Sequence, residues 1–299
     1  MKAVVYDKKA HPDRLVCSDV DNPVPGDNEV LIRVHSVSLN AADYRSMKMG
    51  LIPGKKIFGA DIAGRVEAVG KKITEFKPGD EVAGDLAGYG FGGLAEYVTA
   101  PEKFIIPKPG QVSFEEAAAV PMAAVTALQA LRDKAAVQNG QKVLIIGSAG
   151  GVGTFAVQLA KHFGCEVTGV CSTKNVQQTI SLGADHVIDY TRQRFLETGS
   201  RYDIILALNG NYPLSACRRI LNPGGKYIMV GGSLSQIFKS ILFGWLLSVG
   251  SRKMRFLSAK PGKGDLMYIM GLVEKGVIRP VIDRQYPLEK TAEGDELSH

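Results

Sequence analysis

The stretch from Lys142 to Gly153 reads KVLIIGSAGGVG, an apolar run followed by a loop of small residues. Ser148, Gly150 and Gly153 occupy the spacing of the G-x-G-x-x-G dinucleotide fingerprint, with serine at its first position. Each position has its own physical task. A small residue at 148 permits a tight turn. Gly150 lets main chain approach a diphosphate, and Gly153 lets a helix pack closely on the preceding strand. A helix starting here offers unpaired N–H groups and a partial positive charge to phosphate oxygens. Ser148, Ala149, Gly150, Gly151 and Val152 therefore form a candidate diphosphate cradle. The alternative is a glycine-rich turn without a ligand.

A second signal follows about 20 residues on, where a dinucleotide lacking a 2′-phosphate usually meets Asp or Glu. Here the next apolar run ends Gly169-Val170-Cys171-Ser172-Thr173-Lys174, with no acid. Ser172 and Thr173 carry hydroxyl donors and Lys174 a cation, a set suited to a 2′-phosphate. The expected cofactor is NADPH. Solvated loop residues are the alternative reading.

The rest of the chain must position these groups. Its 299 residues suggest two domains, and 45% hydrophobic with 22% charged residues is ordinary for a soluble globular protein. The formal charge of +6 is spread without a basic block of five or more, which argues against nucleic-acid binding. Cys17, Cys165, Cys171 and Cys217 show no C-x-x-C spacing and read as reduced structural thiols of a cytoplasmic protein. Met1 to Ala10 is charged and lacks a signal-peptide core. The most apolar run, Ile241 to Val249, is about half the roughly 20 residues that cross a bilayer. It reads as a core or subunit-contact segment, or a lid.

The first third reads as short strands between turns: Lys2 to Tyr6, Glu29 to Leu39, Asp61 to Val69, Glu81 to Ala83 and Ala95 to Thr99. Such punctuation suggests a compact barrel. The character changes near Ser113-Phe114-Glu115-Glu116, a capping box before an Ala-rich helix. Pro121 then starts a second helix running to about Arg132. Beyond it strands and helices alternate: strand Lys142 to Ile146, helix Thr154 to Phe163, strand Glu166 to Cys171, helix Val176 to Leu182, strands His186 to Asp189 and Asp203 to Ala207, helix Pro213 to Leu221, a turn at Asn222 to Gly225, and strand Lys226 to Val230. Apolar strands in repeated β-α-β order mean a parallel sheet covered on both faces.

Several ordered segments carry a resemblance: Ser38-Leu39-Asn40-Ala41-Ala42-Asp43, Gly59-Ala60-Asp61-Ile62-Ala63-Gly64, Pro78-Gly79-Asp80-Glu81-Val82, Ala95-Glu96-Tyr97-Val98, Thr126-Ala127-Leu128, Gly150-Gly151-Val152-Gly153 and Gly183-Ala184-Asp185-His186-Val187-Ile188-Asp189-Tyr190. With them nearly the whole chain resembles the medium-chain dehydrogenase/reductase superfamily, in particular its zinc-free (zeta-crystallin-like) quinone oxidoreductases and NADPH-dependent enone reductases. The resemblance implies an α/β fold: a GroES-like β-barrel domain plus a Rossmann doubly wound parallel-sheet domain, with a cleft between them. The implied boundaries are 1–120, joined by a return segment 279–299, and 121–278. After Thr291 the chain departs from the usual family tail, which puts stability and oligomeric state in question.

By the same resemblance Asn40 and Thr126 sit by the nicotinamide ribose and ring, Tyr190 covers the adenosine end, and Gly231 and Gly232 admit the carboxamide. Each has a plainer use: a turn cap, a helix hydroxyl, a strand-end aromatic, a plain turn. Asn209 stands near the cofactor with an open role. Tyr44, one helical turn after Asn40, is the candidate catalytic proton donor or else a packing tyrosine. Tyr44 and Phe91 are candidate substrate-pocket walls. Family zinc enzymes have Gly-His-Glu where this chain has Gly59-Ala60-Asp61, and cysteines that are absent here, so no metal site is expected. Without a Lewis acid, unactivated alcohol oxidation is hard, whereas a quinone or α,β-unsaturated carbonyl accepts hydride into a resonance-stabilised anion. The implied activity is hydride transfer from NADPH to such a small-molecule acceptor, by a homodimer meeting at the sheet edge near residues 252–258. The alternatives are an NADPH-binding, redox-responsive protein with little turnover and a zinc-type alcohol dehydrogenase.

Overall fold

The computed structural model describes residues 1–7, 15–208, 212–231 and 251–291. Two compact units emerge: Met1–Met122 with the described residues from Pro261 onward, and Ala123–Lys260. The expected boundary gave 261–278 to the second unit. Their helix instead belongs with the first, because Gln111 Nε2 donates to the Glu274 carbonyl at 2.7 Å and Lys263 pairs with Glu75.

In the first unit, Lys2–Tyr6 (β1) pairs antiparallel with Leu15–Asp19 (β2). A five-stranded antiparallel sheet is built from Glu29–Ser38 (β3), Asp61–Val69 (β4), Glu81–Asp85 (β5), Tyr97–Pro101 (β6) and Ile105–Pro107 (β7), in the order β6-β3-β4-β5-β7. Bridges Ala3–Ala95 and Val5–Ile57 tie the β1–β2 ribbon to residues around this sheet. Val30, Ile32, Ile62, Val82, Leu86 and Ile105 fill the core, all fully buried. Ala41–Lys48 (α1) follows β3, and Phe114–Ala118 (α2) follows β7. The expected capping box starts α2: Ser113 Oγ accepts from the Glu116 amide at 3.1 Å and Glu116 Oε2 from the Ser113 amide at 3.0 Å. The return segment is held by Lys2–Glu289 at 2.9 Å and by Leu288 packed beside Tyr6 and Phe58. The departure after Thr291 lies outside the described residues.

Pro121–Leu128 (α3) runs on into a π-helical stretch, Gln129–Ala135. The second unit then holds Lys142–Ile146 (β8), Gly151–His162 (α4), Glu166–Cys171 (β9), Val176–Ser181 (α5), His186–Asp189 (β10), Tyr202–Ala207 (β11), Leu214–Arg219 (α6), Leu221–Met229 (β12) and Lys253–Phe256 (β13). Lys263–Glu274 (α7) completes the first unit. The six strands of the second unit are all parallel, in the order β10-β9-β8-β11-β12-β13. Numbered within this sheet, the order is 3-2-1-4-5-6, that of a dinucleotide-binding fold, with its switch point between β8 and β11.

Two local expectations change. Helix α4 begins at Gly151 rather than Thr154, because extended Gly150 serves as its cap (φ −78°, ψ 170°). The Asn222–Gly225 turn sits inside β12, where the pairing with β11 jumps from Tyr202–Leu221 to Ile204–Lys226. The four cysteines are unpaired. Burial pushes the thiols of Cys165 and Cys217 up to about 11 and about 12, which keeps them protonated and unreactive. Among the described residues no helix is long and apolar enough to cross a membrane. The apolar run 241–249 lies outside them.

Leu144 is fully buried at the centre of the parallel sheet. Leu144→Ala is expected to cost about 2–5 kcal/mol of unfolding free energy, read by urea denaturation.

Candidate functional site

The loop between β8 and α4 lies at the switch point. Its tight turn is made by Gly147, at φ +89°, one residue before the expected position. Ser148 has a different task. It is fully buried, its Oγ lying 3.2 Å from the Val170 carbonyl and 3.3 Å from Thr179 Oγ1. Its side chain therefore locks the loop to β9 and α5. Exposure then rises through half-buried Ala149 to exposed Gly150 and Gly151, and falls through Val152 to buried Gly153.

The glycines differ in what a side chain would meet. A Cβ at Gly153 would stand 2.1 Å from the Gly147 carbonyl oxygen, so the helix can sit this close to the loop only without one. A Cβ at Gly150 would meet only that oxygen, at 3.6 Å, and one at Gly151 would meet nothing within 4 Å. These two positions leave an open cradle, which a side chain would fill, in front of the first-turn N–H groups of α4. The cradle fits a diphosphate in charge and in shape.

At the end of β9, Ser172 caps the short turn Thr173–Asn175 and lies 3.3 Å from Asn175 Nδ2. Lys174 is exposed on that turn. Thr173 is turned elsewhere: its hydroxyl donates to Asp189 Oδ2 at 2.6 Å and lies 2.9 Å from Thr191 Oγ1. The end of β10 thus brings an acid, Asp189, beside the end of β9. Hydrogen bonds from Thr173 and then Thr191 hold the Asp189 carboxyl below its ordinary value, and Arg192 Nε lies 3.6 Å from it. Reading β9 alone missed Asp189. The only signal was its place before Tyr190 at the end of the next strand. Tyr190 itself is half exposed, and its amide bonds the Cys171 carbonyl at 3.0 Å. Gly231 follows β12, its amide 3.3 Å from the Ala207 carbonyl. Thr126 is half-buried on α3. Asn209 and Gly232 lie outside the described residues.

In the first unit Asn40 caps α1. Its amide N–H donates to Asp43 Oδ2 at 2.9 Å, and Asp43 Oδ1 accepts from the Gly59 amide at 2.9 Å. The Asn40 side chain is also committed, with Nδ2 donating to Asp61 Oδ2 at 3.0 Å. The same side chain also faces the Asp43 amide in the capping box that starts α1. Burial pushes the Asp43 carboxyl up to about 6, the bonds from Asn40 and Gly59 opposing the rise. Tyr44 is half-buried, with Lys48 Nζ 4.3 Å from its ring centre. Phe91 adopts φ +67° and packs on buried Phe58 with ring centres 5.8 Å apart, so its ring is held by the first-unit core. Among the described residues no three His, Cys, Asp or Glu side chains converge as metal ligands.

A six-stranded parallel sheet in dinucleotide order, with a glycine cradle at its switch point, and an antiparallel unit of GroES-like sequence pattern together define an α/β dehydrogenase fold. The comparisons with known proteins agree. Residues 26–110 match the family model described as alcohol dehydrogenase GroES-like domain, and residues 182–295 the one described as zinc-binding dehydrogenase. A chloroplast envelope quinone oxidoreductase homolog of Arabidopsis thaliana is 34% identical, over 90% of this chain and 85% of its own. The 2-methylene-furan-3-one reductase of Solanum lycopersicum is 32% identical, over 100% of this chain and 76% of its own. The structure of the quinone oxidoreductase from Coxiella burnetii superposes with a TM-score of 0.88 at 30% identity, covering 100% of this chain and 95% of that one. The chain belongs to the medium-chain dehydrogenase/reductase superfamily, in its quinone oxidoreductase and enone reductase group, and is an oxidoreductase.

Two outcomes follow from this geometry. Gly153→Ala should lower the melting temperature and weaken dinucleotide binding together, because backbone must move to admit the new Cβ. Folded Asp43 holds its proton up to about pH 6, whereas the unfolded carboxyl releases it near the ordinary 3.8. The folded state thus binds the extra proton between these values, and stability falls as pH rises through them. Asp43→Asn removes this loss. The variant should show a flat profile between about pH 4 and 6 where wild type loses up to roughly 3 kcal/mol, on top of a constant loss because its NH₂ group faces one of the two main-chain donors, measured by urea unfolding across pH.

Proposed function

We propose that this chain is an NADPH-dependent, zinc-independent oxidoreductase that passes a hydride to a quinone or an α,β-unsaturated carbonyl. The observation that carries the reading is the open cradle at Gly150 and Gly151, at the switch point of a 3-2-1-4-5-6 sheet. The first-turn amides of α4 would take the diphosphate. Lys174 and Ser172 would take the 2′-phosphate, with Lys174 exposed and Ser172 at the β9 end. Asp189 opposes that charge and Arg192 offsets it. Tyr190 would cover the adenosine end, and Gly231, at the end of β12, would lie by the carboxamide.

When bound, NADPH supplies the hydride. Asn40, its carboxamide held by Asp61, would lie by the nicotinamide ribose, and Thr126 would offer a hydroxyl on α3. Tyr44 holds a phenolic proton that could be given to the developing oxyanion. The residues at 59–61 are Gly, Ala and Asp, a set lacking the nitrogen and sulfur donors preferred by a catalytic zinc. The printed names of the Arabidopsis and tomato relatives, a quinone oxidoreductase homolog and a 2-methylene-furan-3-one reductase, support an electron-poor acceptor. A homodimer is proposed at the edge strand β13, which pairs among the described residues with β12 alone.

NADPH oxidation should be measured over a panel of quinones, enones and aldehydes, with turnover expected for the first two. NADPH binding without turnover on any of them would favour a redox-responsive binding protein instead. Lys174→Ala should weaken NADPH roughly 10- to 100-fold and leave NADH unchanged, the worth of one charge-assisted bond. Equal losses for both coenzymes would remove the 2′-phosphate assignment.

A further inference from the structure

Asp61 opens β4 and is fully buried, yet among the described residues no lysine or arginine bonds to it. Its Oδ2 accepts two hydrogen bonds, from Asn40 Nδ2 at 3.0 Å and from the Met122 amide at 2.8 Å. Its Oδ1 is buried and has no hydrogen-bond partner. The β4–β5 register sets Asp61 directly opposite Asp85, so the two carboxyls share one face of the sheet. Asp85 is also buried, and its Oδ1 accepts from the Ala87 amide at 2.8 Å. Asp43, on α1, is the third acid of this region and is itself buried.

An ionised Asp61 would leave a charged oxygen in the core with neither a donor nor a cation, an expensive state. Two buried carboxylates side by side cannot both ionise readily. Because Oδ2 already receives two donors, a proton belongs on Oδ1.

We propose that Asp61 is a neutral positioning acid: its Oδ1 carries a proton turned toward Asp85, and its Oδ2 holds the Asn40 carboxamide and the Met122 amide in place. The clamp fixes the Asn40 carboxamide in one orientation. Burial, and then Asp85, raise the Asp61 carboxyl well above its ordinary value, in agreement with this state. The charged groups that act on it most, Asp85 from β5 and Asp43 from α1, are both acids. The consequence for catalysis rests on the proposed cofactor role of Asn40. The protonation state does not.

The test compares Asp61→Asn, Asp61→Ala and wild type. Asn keeps a carbonyl oxygen for the two donors and places an NH₂ group where Oδ1–H stood. It can then donate to Asp85 and let that acid ionise. In the ligand-free protein at mildly alkaline pH, where Asp43 is ionised, the infrared spectrum of wild type should contain a protonated-carboxyl band that D61N lacks. A band unchanged in D61N, or absent from wild type, overturns the proposal. This readout needs neither coenzyme nor turnover, so it fails independently of the cofactor assignment. In binding and kinetics, D61A should lose about tenfold or more in NADPH affinity, and D61N should restore most of that loss. Asn40→Ala combined with D61A should lose no more than Asn40→Ala alone. Losses in D61N as large as in D61A would mean that a negative charge is required, contrary to the proposal. If D61A does not fold, the infrared band and the D61N titration still decide the matter.

Discussion

Helix α4 can begin where it does only because residue 153 has no side chain. A Cβ there would overlap the Gly147 carbonyl oxygen at 2.1 Å. That close approach aims the first turn of the helix across the switch point of the parallel sheet. It also leaves Gly150 and Gly151 as bare main chain at the rim. A strand, a left-handed Gly147, an extended cap and a helix are thus one rigid device for gathering N–H donors. The dehydrogenase fold of the second unit is organised about it, with Ser148 pinning the loop to Val170 and Thr179 from beneath.

The first unit meets a different constraint. It buries three carboxyl groups, Asp43, Asp61 and Asp85, in a small region, at a desolvation cost that hydrogen bonds offset only in part. Asp43 receives two main-chain donors and joins the start of α1 to Gly59. Asp61 joins Asn40 to the amide of Met122. Residue 40, the 59–61 segment and residue 122 are thereby fixed to one another by polar clamps in addition to apolar packing. Apolar contacts tolerate sliding; a clamp of short hydrogen bonds holds a carboxamide in one orientation.

Much of this was legible in the residues. The strand–loop–helix at Lys142 to Gly153 declares itself through an apolar run, glycines and a helical pattern, all local. The capping box at Ser113 and the β1, β4 and β10 bounds were readable for the same reason. Less was legible where partners come from different strands. Thr173 looked like a free donor until β10 brought Asp189 to within 2.6 Å. Ser148 looked like a cradle residue until β9 and α5 enclosed its hydroxyl. Helix α7 was assigned to the wrong unit because its attachment runs through Gln111 and Glu75, at long range in the chain.

The amino-acid order alone determined the class of the protein. Backbone conformation at glycines, turn chemistry and the β-α-β rhythm depend on near neighbours, and these also carried the cofactor expectation. Only the tertiary structure decided which side chains are already committed. Whether a hydroxyl or carboxyl is free for a ligand, and whether a buried acid keeps its proton, depends on groups brought within about 3 Å by strand register and helix packing. Such distances have no counterpart along the chain.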